Sequence, residues 1–241
     1  MGVLDGRRIL FIGDSLSVSG FGPRLEALLA DAGATVTRDA KGGRSVRWFY
    51  ANSGLDSGRL WDLVKEADPT DVVIALGTND AGFGPDDCMK WWTRFMGEIR
   101  QWSSQPPRFY WVTPPAFEAR AGSVGSNVES IREPLAQLFD GVVDSEPLTE
   151  DMLTPAQGRA RDFIHFTVPA GEAWADRVAP ELLGMMSTGT QSGSSGSGSS
   201  SASSASSTSG ALLVGAAIVL GLLLFRLAAS GDPPILKESE S

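Results

Sequence analysis

Five residues scattered along the chain could do chemistry together: Ser15, Gly43, Asn79, Asp162 and His165. His165 is the only histidine in the protein, so acid–base work near neutral pH rests mainly on that one side chain. A serine hydroxyl is a poor nucleophile at neutral pH and needs a neighbouring base. Asp162 precedes His165 by three positions, close enough to orient the imidazole and stabilise its cation. Attack on an acyl carbon also needs donors aimed at the developing oxyanion. The backbone N–H groups of Ser15 and Gly43 suit that role, glycine because the backbone must approach the substrate closely. The Asn79 amide adds a third donor, and Gly42 competes with Gly43 as the oxyanion glycine. Two of them have a plainer reading by themselves: Ser15 as a helix cap, His165 as a core histidine.

The elements that must carry these residues follow from the hydrophobic pattern. Residues 9–12 form a short apolar run that stops at Gly13, a buried strand with Ser15 just past its carboxyl end. That is where an open α/β sheet puts its chemistry. Pro23 stands near the first position of a helix whose apolar face is Leu25, Leu28 and Leu29. Residues 34–37 make a second strand, followed by the glycine-bearing loop 40–45. A helix over 60–67 leads to the clearest strand, 71–76, β-branched and continuous and so buried on both faces. It ends in Gly77-Thr78-Asn79-Asp80. An amphipathic helix over 86–102 places Trp91, Trp92, Phe95, Ile99 and Trp102 toward a core. Strands at 109–112 and 142–143, helices at 128–139 and 170–183, and a loop holding Asp162 and His165 complete the pattern. Strands alternating with helices predict a parallel sheet wrapped on both faces. Ser15, Gly43 and Asn79 then meet at one edge of the sheet, near the switch in strand order.

Four blocks carry a resemblance: Gly13-Asp14-Ser15-Leu16-Ser17, Gly43, Gly77-Thr78-Asn79-Asp80 and Asp162-Phe163-Ile164-His165. Together and in this order they resemble the SGNH hydrolases, the GDSL-like esterase family. The resemblance implies a flavodoxin-like three-layer α/β/α sandwich and a serine esterase acting on carboxylic esters without a cofactor or metal. It implies Ser15 as nucleophile, His165 as base and Asp162 as its partner, with Ser15, Gly43 and Asn79 forming the oxyanion hole. Phe166-Thr167-Val168-Pro169-Ala170-Gly171 resembles the family's start to its last helix. Gly43-Arg44-Ser45-Val46-Arg47 resembles the second block of family members acting on acetylated polysaccharides, which points to short-chain or O-acetyl carbohydrate esters; lipid esters stay open. An acyltransferase on the same residues, or a non-catalytic anchored protein keeping the fold, are the alternatives. Asp14 is expected to shape its loop, Asp80 to hold its turn by local hydrogen bonds, and Cys88 to be an inert, partly buried thiol. Arg44 and Arg47 read either as substrate contacts or as surface charges.

Composition bounds the remaining choices. With 241 residues, 42% of them hydrophobic, the chain can build one domain of ordinary size and extra segments. A net charge of −9 with no basic patch argues against nucleic acid as a partner. The single cysteine allows no intrachain disulfide and no Cys-based metal site. The amino terminus reads as lacking a secretory signal. Residues 1–187 are the expected catalytic domain. Residues 188–210 hold only Ser, Gly, Ala, Thr and Gln, a tether with a reach of roughly 25 Å. The uncharged run that follows extends, with Arg226 snorkelling, to 211–229 and approaches the ~20 residues of a single transmembrane helix. A polar tail, 230–241, closes the chain. Arg226 and Lys237 favour a cytoplasmic tail, whereas the missing signal favours a cytoplasmic head; both orientations stay open.

Overall fold

The computed structural model describes residues 2–51 and 57–188. The elements are β1 (Arg8–Gly13), α1 (Phe21–Asp31), β2 (Thr35–Ala40), α2 (Trp48–Ala51), α3 (Ser57–Ala67), β3 (Asp71–Ala75), α4 (Pro85–Trp102), β4 (Arg108–Val112), α5 (Val124–Ala136), β5 (Gly141–Val143), α6 (Ser145–Thr149) and α7 (Val168–Thr188). The strands form one parallel sheet in the order β2-β1-β3-β4-β5. That is the flavodoxin-like order, with its switch point between β1 and β3.

Successive residues of a strand point to opposite faces, and here both faces are covered. Leu10, Ile12, Val72, Ile74, Phe109 and Trp111 face one layer, where Leu63, Trp92, Phe95, Ile99 and Ile131 pack against them from α3, α4 and α5. Ile9, Phe11, Val73, Ala75, Tyr110 and Val112 face the other, against Phe21, Leu25 and Leu29 of α1 and Trp174, Val178 and Leu182 of α7. Phe21 and Trp174 stack with ring centroids 3.7 Å apart, which joins these two helices. Trp92, Phe95 and Ile99 are buried as the pattern required, whereas Trp91 and Trp102 are half-buried.

The two ends of the sheet do different work. At the amino end of β3 the fully buried Asp71 pairs with Arg7 at 3.0 Å and Arg108 at 2.9 Å. Both guanidinium groups also donate to the Met186 carbonyl, which fixes the last turn of α7 there. A buried carboxylate needs such partners, since desolvation alone would expel it. The carboxyl ends of the strands are left to loops. Residues 189–241, which include the tether and the expected transmembrane segment 211–229, lie outside the described residues. Among the described residues no helix is long and apolar enough to cross a membrane.

Candidate active site

Register brings the three loops together. Gly13, at the end of β1, pairs with Ala40 of β2 on one side and Ala75 of β3 on the other. The Ser15 loop therefore lies between the loops holding Gly43 and Asn79. A side chain at Gly13 would strike Ser17, because the chain turns tightly into a short 3-10 helix over Ser15–Ser17. Asp14 caps this turn: its carboxylate accepts the Leu16 N–H at 2.9 Å. The turn lifts Ser15 off the strand end into the site.

The distant histidine arrives from the segment before α7. His165 Nε2 lies 2.8 Å from Ser15 Oγ, across 150 residues of chain. His165 Nδ1 lies 2.6 Å from Asp162 Oδ2. With the ring proton on Nδ1 and donated to the carboxylate, Nε2 is the acceptor for the serine hydroxyl. Asp162 is itself held, because its Oδ1 accepts the N–H groups of Ile164 at 2.9 Å and His165 at 3.0 Å. Burial raises its carboxyl, but the hydrogen bonds from His165 and Ile164 outweigh that and bring it down to about 2. It therefore stays an anion at any pH where the imidazole could act as a base. The His165 and Asp162 side chains are 41% and 47% exposed, so this edge is open to an incoming molecule.

Asn79 Nδ2 donates to the Arg44 carbonyl at 3.0 Å, which fixes the amide against the Gly43 loop. An amide nitrogen carries two hydrogens, so one remains to meet an oxyanion. Gly43 has φ +71, in the left-handed region, and open space where a Cβ would stand. Backbone conformation is thus a reason for glycine that the sequence did not disclose. Gly42 has no such conformation.

Solved structures with the same arrangement of elements identify the architecture. The chain superposes on the structure of TesA with a TM-score of 0.57 at 21% identity, covering 73% of this chain and 98% of that one. With Axe2, an acetylxylan esterase from Geobacillus stearothermophilus, the TM-score is 0.54 at 18% identity, covering 76% and 96%. With the lipase/acylhydrolase from Enterococcus faecalis it is 0.54 at 16% identity, covering 74% and 96%. The fold is the one that these esterase and lipase/acylhydrolase structures share. No family model matches the sequence, and no curated protein does.

Within this fold the polar groups behind the site differ in part from expectation. Asp80 holds its turn by local bonds, its N–H donating to the Gly77 carbonyl at 3.1 Å and its own carbonyl accepting the Phe83 N–H at 2.9 Å, but its side chain also reaches further. It is buried, and its Oδ1 accepts the N–H of Val46 at 2.8 Å, so it ties the Asn79 loop to the Gly43 loop. Burial pushes its carboxyl up to about 7, against the Val46 hydrogen bond and with help from the neighbouring Asp14 charge. Asp14 is pushed up to about 6, also by burial. Arg44 is neither a substrate contact nor a surface charge: it is buried and paired with Asp39 at 2.6 Å. Arg47 is exposed and lies over the Phe83 ring. Cys88 is buried, its thiol raised to about 12 mainly by burial. One residue had no signature in the sequence at all: Arg159, a buried guanidinium beside the histidine loop.

Proposed function

We propose that this chain is a serine esterase of the SGNH type, hydrolysing short-chain carboxylic esters, O-acetyl groups on carbohydrate foremost. The observation that carries this is the unbroken chain of contacts from Ser15 Oγ through His165 to Asp162. Ser15 Oγ attacks the acyl carbon while its proton passes to His165 Nε2, and Asp162 stabilises the imidazolium. The carbonyl oxygen becomes an oxyanion that takes hydrogen bonds from the N–H groups of Ser15 and Gly43 and from the Asn79 amide. Collapse of this intermediate breaks the ester C–O bond, and the leaving alkoxide takes the proton from His165. Water then repeats the sequence on the acyl-serine, giving the acid and free Ser15. The half-exposed histidine favours an ester group presented on a large, hydrated molecule, and the likeness to an acetylxylan esterase points the same way.

A fluorophosphonate probe should label Ser15, read by peptide mass, and Ser15→Ala should lose both labelling and hydrolysis of p-nitrophenyl acetate. Full activity in Ser15→Ala refutes the assignment. An acyltransferase on the same residues would give acylated sugar rather than free acid in product analysis. Residues 188–210 are proposed as a tether and 211–229 as a single transmembrane helix, on the composition of the sequence. Carbonate-resistant, detergent-extractable membrane association of the full chain is the expected result, and release by carbonate would contradict it.

A further inference from the structure

We propose that Arg159 is a positioning residue for this site: its buried guanidinium clamps the loop that carries Asp162 and His165 so that the imidazole meets Ser15. The proposal rests on the esterase reading above.

Arg159 is 1% exposed. Its hydrogen bonds go to main-chain carbonyls in three separate segments. Nε donates to Met152 at 2.9 Å, Nη1 to Ile164 at 2.6 Å, and Nη2 to Ala116, just past the end of β4. Ile164 adjoins His165, so the guanidinium grips the histidine's own peptide unit. The Phe166 ring lies against it at 3.8 Å from the ring centroid, and Phe117 at 5.4 Å. The loop closes on itself at the same place. Ala160 N–H donates to the His165 carbonyl at 2.7 Å, and Arg159 bridges Phe166 in antiparallel fashion.

Two physical facts turn this packing into a role. First, a buried cation is expensive, and an aliphatic side chain of similar size would fill the space at lower cost. Burial pushes the guanidinium down to about 10, with only the Asp162 charge resisting. What arginine adds is a rigid fork of five donors that fixes three carbonyls at set angles to one another. Second, the clamped loop is strained. Phe163, between Asp162 and His165, has φ +60, a left-handed conformation that a bulky side chain rarely adopts. Strain of this kind persists only where the surroundings impose it. The Asp162 carboxylate, through the N–H groups of Ile164 and His165, grips the loop from one side, and Arg159, through the Ile164 carbonyl, from the other.

The test compares Arg159→Lys with the wild-type full chain. Lysine keeps the charge but is a single point donor that cannot span the three carbonyls. Each protein is titrated with a fluorophosphonate, so that kcat is expressed per competent serine. We expect kcat for p-nitrophenyl acetate to fall by about 10- to 100-fold with KM little changed, the effect of a base misplaced by about an ångström. The acidic limb of kcat/KM should also move to lower pH, because an imidazole that loses its carboxylate partner holds its proton less firmly. The charged groups acting on that ring, Asp162 and Asp14, are unchanged in the variant, so a moved limb reports geometry. A lower melting temperature with unchanged kcat per titrated site and an unmoved limb would overturn the proposal. Phe166→Leu, which removes the ring under the guanidinium and leaves every charge in place, should show the same changes more weakly. If Arg159→Lys does not fold, Phe166→Leu decides: a moved limb supports the clamp and an unmoved one overturns it. An inactive wild-type protein would refute the esterase reading instead.

Discussion

Asp14→Asn should make stability less sensitive to pH. Asp14 is 1% exposed, and burial raises its carboxyl from 3.8 to about 6, more than the Leu16 N–H and the Thr78 hydroxyl hold it down. In the unfolded chain the group ionises at its ordinary value. Between the two values the folded protein keeps a proton that the unfolded chain has released. The stability from this group is therefore complete below the unfolded value and is lost as pH rises through about 6. A gap of about two pKa units at ~1.4 kcal/mol each comes to about 3 kcal/mol. Asparagine keeps an oxygen for the Leu16 N–H and never ionises. The variant should thus gain on the wild type by about 3 kcal/mol between about pH 4 and about pH 8. Relief of Asp80, whose carboxyl the Asp14 charge helps to raise, acts in the same direction. Guanidinium unfolding of both proteins at the two pH values, followed by tryptophan fluorescence, measures the difference. A difference that stays constant, or shrinks as pH rises, refutes the reasoning.

Asn79→Ala should lower kcat for p-nitrophenyl acetate by about 10²–10³ with little change in melting temperature, as expected for one lost oxyanion donor. Gly43→Ala meets no steric obstacle but must hold φ +71, so it should cost about 1–2 kcal/mol in denaturant unfolding. Asp71→Asn strips Arg7 and Arg108 of their buried counter-charge. It should cost about 3–5 kcal/mol of stability and leave kcat per labelled Ser15 unchanged. Activity should fall toward acid pH, as a histidine base requires; a flat profile from about pH 5 to about pH 8 would contradict the base role of His165.

Much of this arrangement was legible in the sequence wherever one short signal decided the outcome. The run at 71–76 could be little other than a buried strand, and β3 is Asp71–Ala75. The second strand was read too short, at 34–37, because β2 runs to Ala40 as a half-exposed edge strand whose Arg38 and Asp39 look like loop residues. The helix expected at 128–139 begins earlier, at Val124, and carries Pro134 within it. The closing helix, expected over 170–183, extends from Val168 to Thr188 despite Pro180, held by buried Trp174, Val178 and Leu182. At the site, side chains that act on each other announced themselves by type: one histidine, one aspartate nearby, one serine after a strand. Groups that act on backbone did not. Asp80 binds an N–H 34 positions away, and Arg159 binds three carbonyls. Neither relation leaves a spacing to read. The left-handed turn at Phe163 was hidden for a related reason, since its side chain argues against the conformation that its surroundings enforce.

The Met186 carbonyl held by Arg7 and Arg108 has a practical consequence. It fixes the departure point of the polypeptide beside Asp71, whereas Ser15 opens from the opposite rim of the strands. A bead, dye or fusion partner joined just after Thr188 would start from the far rim, leaving the Ser15 side facing away from its attachment.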